Sequence, residues 1–237
     1  SMPHVVAVMV TGKSPERRAL AEFAVRDFYE QNYTGDSNLL IVRDDDGPAL
    51  PTLGNAEELR LPAGQTLGGL RNAALDFIAK HFPQSWVIQW DDDDHHAEHR
   101  IAQQVRGAVT RGLDEYRGDW ALTLRRQVRF SLTNNSAMVY YGDAKYGVFG
   151  TVLHGPTTLR YECVGKHEDS RFLKTFSTVH TLETVPELYV RFEHGNNTWN
   201  RQHIMTSHAN KTDKWSLPPA TAHYVSAVVQ KYRAKLG

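Results

Sequence analysis

The first half of the chain alternates continuous apolar runs with amphipathic segments. Val5–Val10 is an unbroken apolar run rich in valine, a pattern typical of a strand buried on both faces. Behind Ser14 and Pro15, which suit the first positions of a helix, apolar residues recur at helical spacing through 15–31. The pattern then repeats, with strands predicted at 39–42 and 86–90 and helices at 66–81 and 97–113. This alternation predicts a mostly parallel sheet with helices on both faces.

The second half has a less regular pattern. It predicts a helix over 168–178, where Phe172, Leu173 and Phe176 form an apolar face, and an amphipathic C-terminal helix over 225–236. The polar stretch 199–216 is expected to be a mobile loop. Short strands, some of them antiparallel, are predicted at 120–124, 127–130, 138–141, 148–154 and 187–192.

Composition narrows the class of protein. The 27 Lys and Arg balance the 27 Asp and Glu, so the net charge of zero argues against a nucleic-acid coat protein or a polybasic membrane-surface module. The single cysteine, Cys163, excludes an intramolecular disulfide and a cysteine-based zinc cluster. No apolar run approaches the ~18–20 residues that span a bilayer. A cytoplasmic protein with one large α/β domain is therefore expected.

Two acidic runs directly follow predicted strands. They are Asp44–Asp46 and Asp91–Asp94, and ligands bind beyond the carboxyl ends of strands in such sheets. Four adjacent carboxylates repel one another, so the longer run is stable if it holds a divalent cation, and oxygen ligands favour Mg²⁺ or Mn²⁺. Alternate residues point the same way, which pairs Asp91 with Asp93. The alternatives are a solvated loop that caps the next helix, and a plain turn for the shorter run.

These seven acids also change the reading of the net charge. Without them, 20 acids face 27 basic groups, so the neutral total describes an acidic site in a mildly basic protein. Arginines at 117, 125, 126 and 129, followed by Arg160, Lys166, Arg171 and Lys174, could face a polyanion. A solvated basic face explains them equally well, so a polyanionic acceptor stays open.

Other candidate motifs are weaker. His95 and His99 are four residues apart, but the order of residues is not that of a zinc protease. Gly12-Lys13-Ser14 lacks the earlier glycine of a phosphate-binding loop. Glu168-Asp169 opens a predicted helix, where a carboxylate can cap the helix or act as a general base. His194 follows a strand, and it is either structural or a metal ligand.

Taken in order, these segments resemble the nucleotide-sugar-dependent glycosyltransferases of family 2, which have the GT-A fold. The resemblance covers roughly residues 4–200. It implies an α/β fold of GT-A type, with a Rossmann-like, mostly parallel central sheet flanked by helices and a smaller antiparallel acceptor-side sheet. A single domain, 1–237, is expected, with a nucleotide-binding half at about 4–115, an acceptor-side half at about 116–200, and a C-terminal loop and helix at 201–237. The segments that carry the resemblance are Val5–Thr11, Gln31–Tyr33, Leu40–Asp46, Leu67–Ala74, Trp90–Asp94 with Arg100 and Gln103, Gly165–Leu173, and Arg191–Thr198.

The resemblance also implies roles for individual residues. Asp169 would be the general base of an inverting displacement. Asp93, His194 and Asp91 would hold Mn²⁺ or Mg²⁺, although the register within the four-Asp run is open by one residue. The nucleotide sugar, expected to be a UDP-sugar, would contact Thr11, Asp44, Asp46, Arg71, Asp91 and Asp92, with the choice among Asp44–Asp46 left open. The acceptor side would include Glu168, Trp90 and Asn197.

The expected function is a metal-dependent, inverting glycosyltransferase. Its acceptor would be a hydroxyl on a soluble glycan, small molecule, protein or hydroxylated nucleic-acid base. A nucleotidyltransferase of similar fold is the rival enzyme class, but it would usually carry a Gly-rich basic loop after the first strand, and Thr11–Pro15 lacks one. A sugar-nucleotide or glycan-binding module without catalysis is the other alternative.

Overall fold

A seven-stranded sheet forms the centre of the protein. The computed structural model describes residues 2–195 and 217–236. The strands of this sheet are β1 (Val5–Val10), β2 (Ser37–Arg43), β3 (Ala56–Arg60), β4 (Trp86–Gln89), β6 (Trp120–Leu124), β9 (Val148–His154) and β10 (Thr178–Leu182). Their order in the sheet is β10-β6-β9-β4-β1-β2-β3. The pairs β1–β2, β1–β4, β2–β3 and β6–β10 are parallel, whereas β9 runs antiparallel to both of its neighbours.

A second, smaller sheet has four strands. They are β5 (Asp94–His96), β7 (Arg126–Ser131), β8 (Ser136–Tyr141) and β11 (Tyr189–Glu193), the last preceded by a 3-10 turn at Pro186–Leu188. Their order in the sheet is β5-β11-β7-β8. Two of the pairs, β5–β11 and β7–β8, are antiparallel, while β11 and β7 run parallel. The small sheet is therefore mostly antiparallel, as the resemblance implies, with one parallel pair.

Helices cover both faces of the large sheet. Alternate residues of β1 explain why: Val5, Ala7 and Met9 belong to one apolar cluster with α1 and α3, whereas Val6 and Val8 belong to another with α2 and α4. The predicted parallel sheet buried on both faces is thus confirmed. The helices are α1 (Pro15–Tyr29), α2 (Leu67–His81), α3 (Arg100–Thr110), α4 (Glu168–Leu173) and α5 (Pro219–Leu236).

Some element boundaries differ from the predicted ones. The helix predicted over 168–178 ends at Leu173, because Thr178 already begins β10 and pairs with β6. Strand β3 was not predicted, since it lies at the sheet edge and its sequence, Ala-Glu-Glu-Leu-Arg, has no apolar alternation. Residues 199–216, predicted as a loop, lie outside the described residues. Within the described ranges, no helix has the length and apolar character needed to cross a membrane.

Candidate active site

A cleft of about 770 Å³ opens where the large and small sheets meet. One wall comes from the carboxyl ends of β1 and β4 and from the start of α2, including Thr11, Asp91 and Arg71. The facing wall comes from the small sheet, including Arg129 and Arg191. The acidic runs lie at this edge of the sheet, as the sequence predicts. Both walls of the cleft carry polar groups that can bind a ligand.

Asp92 and Asp94 anchor the acidic run to the two sheets. The Asp92 carboxylate accepts hydrogen bonds from Thr11 Oγ1 at 2.9 Å and from Arg17 Nη2 at 2.6 Å. The Asp94 carboxylate accepts one from the Tyr189 hydroxyl at 2.5 Å. Burial raises the pKa of Asp92 to about 6 and raises that of Asp94 well above its usual value. Because both carboxylates are held by contacts within the protein, their role is chiefly structural.

Asp93 is the carboxylate that meets the late histidine. Its Oδ2 lies 3.0 Å from His194 Nε2 and 3.6 Å from Arg17 Nη1. Burial raises the pKa of Asp93, but the hydrogen bond with His194 and the charge of Arg17 outweigh that effect and hold the pKa below its usual value. Two predicted metal ligands, 101 positions apart in the chain, are therefore adjacent in space.

The donors beside Asp93 suit a divalent ion. Over residues 2–195 and 217–236, no three His, Cys, Asp or Glu side chains are close enough to hold a metal ion on their own. The Asp93 carboxylate and the His194 imidazole are nevertheless ligand types that Mn²⁺ accepts. A metal ion bound at a phosphate site usually has its remaining coordination positions filled by phosphate oxygens and water. Asp91 borders the same cleft with its side chain 28% exposed. The residues present thus fit a metal shared between protein and substrate.

Arg71 connects the acidic run to the start of α4. Its Nη2 lies 3.6 Å from Asp91 Oδ1, and its Nε lies 3.5 Å from Glu168 Oε2. Its guanidinium also lies 5.8 Å from the centre of the Tyr161 ring. This cation sits among three acids, since its charge also acts on Asp169.

Glu168 is buried and Asp169 is partly buried, and both carboxyls line the cleft. Burial, and then the charge of Asp169, raises the pKa of Glu168 to about 7. Burial also raises the pKa of Asp169, although Arg71 opposes that rise. The Asp169 carboxylate accepts a hydrogen bond from the backbone N–H of Ser170 at 2.8 Å. A carboxylate with a raised pKa at a cleft wall has the properties of a general base.

The predicted nucleotide contacts divide into two groups. Thr11 and Asp44 line the cleft, and the Asp44 carboxylate accepts hydrogen bonds from the backbone N–H groups of Gly64 and Gln65. Asp46 is not among the cleft residues, because its side chain is 92% exposed and pairs with Lys13. Of the two candidates in the short run, the structure brings only Asp44 to the cleft.

One of the predicted acceptor residues, Trp90, does not line the cleft. Trp90 is fully buried, donates its indole N–H to the carbonyl of Ala24 at 2.8 Å, and stacks on His96. Its place in the core makes it a packing residue. Asn197 lies outside the described residues. Glu168, the third, does line the cleft.

The neighbouring histidines have structural surroundings. His96 is buried between Trp90 and Arg100, and its Nε2 contacts the carbonyl of Asp91. His95 contacts the Asp27 carboxylate through Nδ1 at 3.0 Å and the Tyr224 hydroxyl through Nε2 at 2.6 Å. These contacts give His95 and His96 structural roles.

Arg17 and Arg191 were not among the predicted site residues, and Arg129 was predicted only as part of a basic patch that could face a polyanion. Arg17 lies in the first turn of α1, the helix that follows β1. Arg129 and Arg191 stand on the face of β7 and β11 opposite the apolar face, where Val128 and Val190 pack. Period-two alternation along each strand was the available signal. Arg126, on the other face of β7, does not line the cleft.

This architecture defines a class: an α/β protein with the GT-A fold of glycosyltransferases, as the sequence predicts. Among solved structures, the chain is similar to residues 1–349 of TarS from S. aureus, with a TM-score of 0.53 and 14% identity, over 80% of this chain and 60% of that one. It is also similar to the mannosyltransferase PcManGT from Pyrobaculum calidifontis, solved with GDP-Man and Mn²⁺, with a TM-score of 0.51 and 13% identity, over 100% of this chain and 73% of that one.

Sequence comparison adds no assignment to these structural matches. No protein-family description matches the chain. No curated protein matches it either. At such low identities the structural matches show the fold alone, and the chain spans less than two thirds of the TarS fragment. Family 2 stays a prediction, and the activity has to be argued from the cleft.

Proposed function

We propose that this protein is a metal-dependent, inverting glycosyltransferase that moves a sugar from a nucleoside diphosphate, UDP in our expectation, to an acceptor hydroxyl. The observation that carries the proposal is one cleft holding both halves of the chemistry. Asp93 beside His194 forms a metal-ligating pair, and Asp169 is a partly buried carboxyl with a raised pKa that lines the same cleft. The fold similarity to a mannosyltransferase that binds GDP-Man and Mn²⁺ supports this reading.

Asp93 and His194 would hold the metal ion, with Asp91 at the same cleft as a further ligand or as a contact to ribose. A bound Mn²⁺ or Mg²⁺ would neutralise the negative charge that gathers on the departing diphosphate. Arg17, which pairs with Asp92 and lies 3.6 Å from Asp93, adds a fixed positive charge at this end of the cleft. Thr11, Asp44 and Arg71 line the wall where the nucleotide would lie.

Asp169 would take the proton of the acceptor hydroxyl. The hydroxyl oxygen forms a bond to the anomeric carbon as the bond from that carbon to the phosphate oxygen breaks. The electron pair of the broken bond leaves with the nucleoside diphosphate, and the proton stays on the Asp169 carboxylate. A single displacement of this kind inverts the anomeric carbon. Burial favours the role, because it raises the pKa of Asp169 and so strengthens the base.

The first test measures thermal stability with nucleotide and metal. We expect UDP with Mn²⁺ to raise the melting temperature, because a ligand that binds only the folded state stabilises it. UDP with a chelator should raise it much less. Asp93→Ala should remove the metal-dependent part of the shift, while Asp46→Ala, a change at an exposed residue outside the cleft, should retain it. Equal shifts with and without metal in the wild type would contradict the metal role.

The second test identifies the donor before the acceptor is known. A panel of UDP- and GDP-sugars is incubated with the protein and Mn²⁺, and release of the nucleoside diphosphate to water is measured. Slow hydrolysis of one donor is expected. Binding of nucleotide without hydrolysis of any donor would favour the non-catalytic alternative.

A further inference from the structure

Two arginines lie side by side on the small-sheet wall of the cleft. Arg129 on β7 and Arg191 on β11 are partners in the parallel register, and both line the cleft. Paired residues of neighbouring strands are about 5 Å apart and point to the same face. The two guanidinium groups therefore lie on the same patch of the cleft wall.

Arg129 is held in a fixed orientation. Its guanidinium lies 3.4 Å from the centre of the Tyr140 ring, and its Nε donates to Gln127 Oε1 at 3.0 Å. The residue is only 5% exposed. Burial, and then the charge of Arg191, lowers the pKa of Arg129 to about 9. The two guanidinium groups repel each other, and an anion bound next to both would reduce that repulsion.

Arg191 acts electrostatically on one residue of the metal-ligating pair and on the proposed base. Its charge lowers the pKa of both Asp93 and Asp169. Among the described residues, no hydrogen bond or ion pair within 4.0 Å joins its guanidinium to another side chain. Its donors remain available to a ligand within the described part of the cleft.

We propose that Arg129 and Arg191 form a subsite for an anionic group, a phosphate or a carboxylate, carried by the acceptor. This inference rests on the proposed glycosyl transfer. The position of the arginines in the cleft favours the acceptor over the donor. Thr11, Asp44 and Arg71, the proposed nucleotide contacts, belong to segments of the large sheet, whereas Arg129 belongs to the small sheet on the facing wall. An anion held here would place a nearby hydroxyl of the same molecule close to Asp169.

The test uses inorganic phosphate as the probe. Its binding is measured by equilibrium dialysis at constant ionic strength, with and without saturating UDP and Mg²⁺. Wild-type protein is expected to bind phosphate in both conditions. Arg129→Gln should weaken that binding about tenfold or more, because a charge-assisted hydrogen bond is lost. Arg129→Lys should recover part of it, and Arg126→Gln, on the opposite face of the same strand, should leave it unchanged.

Each of the other outcomes would contradict a different part of the proposal. Equal phosphate binding by wild type and Arg129→Gln would overturn the subsite. Loss of phosphate binding when UDP is present would assign the arginines to the diphosphate of the donor and overturn the acceptor assignment. If Arg129→Gln does not fold, as judged by circular dichroism, the more exposed Arg191→Gln replaces it with the same expected loss. Failure of UDP to bind would instead contradict the proposed function, while phosphate binding without nucleotide still tests the arginines.

Discussion

Four consecutive aspartates show how far neighbours of one residue type can differ. Asp92 and Asp94 are 2% exposed, and their carboxylate oxygens accept hydrogen bonds from within the protein, whereas Asp93 contacts His194. The alternation of side chains along an extended segment predicted this division. The contact between Asp93 and His194 could be guessed only from the resemblance, because no local pattern relates residues 101 positions apart.

At the residue scale, Asp169→Asn tests the base. The amide keeps the shape of the carboxyl but cannot accept a proton, so transfer should fall by about 10²–10⁴-fold. Binding of UDP, followed by the melting temperature, should be unchanged. Asp76→Asn, a change at an exposed surface carboxylate paired with Arg160, is the matched control and should leave transfer intact. An active Asp169→Asn protein would remove the assignment.

We predict that Arg71 sets the pH at which the proposed base works. Burial raises the pKa of Asp169 and Arg71 lowers it, so removing the cation in Arg71→Met should raise the pKa further. The base is active when deprotonated, so activity is lost as the pH falls through its pKa. The acid limb of the kcat/KM profile should therefore move to higher pH in Arg71→Met. Arg160→Met, at a surface ion pair, should leave the limb in place; an unmoved limb in both variants would contradict the effect.

At the scale of elements, the start of α2 depends on close backbone packing. A Cβ on Gly68 would lie 1.7 Å from the carbonyl oxygen of Glu162, and the Gly68 N–H donates to the carbonyl of Val164. The helix start that carries Arg71 is thus pressed against the segment leading to α4, which carries Asp169. This contact joins the segments that carry Arg71 and Asp169 through backbone atoms.

Gly68→Ala should therefore be disruptive although alanine favours helices. Overpacking against backbone costs about 3 kcal/mol or more, which for a chain of this size lowers the melting temperature by roughly 6–12 °C. Gly54→Ala, where a Cβ meets no atom within 4 Å, is the control. Thermal unfolding of both variants decides; equal melting temperatures would show that the segment at Glu162 yields easily.

Elements with strong periodicity were predictable, and those that depend on a partner were not. The runs at β1, β2 and β4 are buried on both faces, so their continuous apolar pattern identified them. The polar strand β3 exists because β2 offers it hydrogen bonds. Strand β10 was not predicted, and only its first residue, Thr178, falls within the helix predicted over 168–178; its pairing with β6 defines it as a strand.

At the scale of the whole molecule, α5 joins the two halves. Tyr232 stacks on Phe23 of α1 with ring centres 4.3 Å apart and contacts Phe192 of β11 at 4.5 Å. The helix thereby fastens the small sheet, which carries Arg129 and Arg191, to the first helix of the large sheet.

Two substitutions at Tyr232 separate packing from polarity. Tyr232→Ala should cost about 3–5 kcal/mol, because a buried aromatic ring is replaced by a cavity. Tyr232→Phe should be neutral or slightly stabilising, since the buried hydroxyl has no hydrogen-bond partner among the described residues. Urea denaturation of both variants measures the free energy of unfolding. A large loss in Tyr232→Phe would indicate that the hydroxyl has a partner after all.

The sequence by itself determined the alternation of strands and helices and the position of the acids at strand ends, because burial of each segment imposes a local period on it. Only the tertiary structure decided which acids reach the cleft, that Asp46 and Trp90 do not line it, and that Arg17, Arg129 and Arg191 do. Those facts depend on contacts between segments that are distant in the chain. Folding brings them together to bury apolar surface, and no periodicity along the sequence records which polar groups then meet.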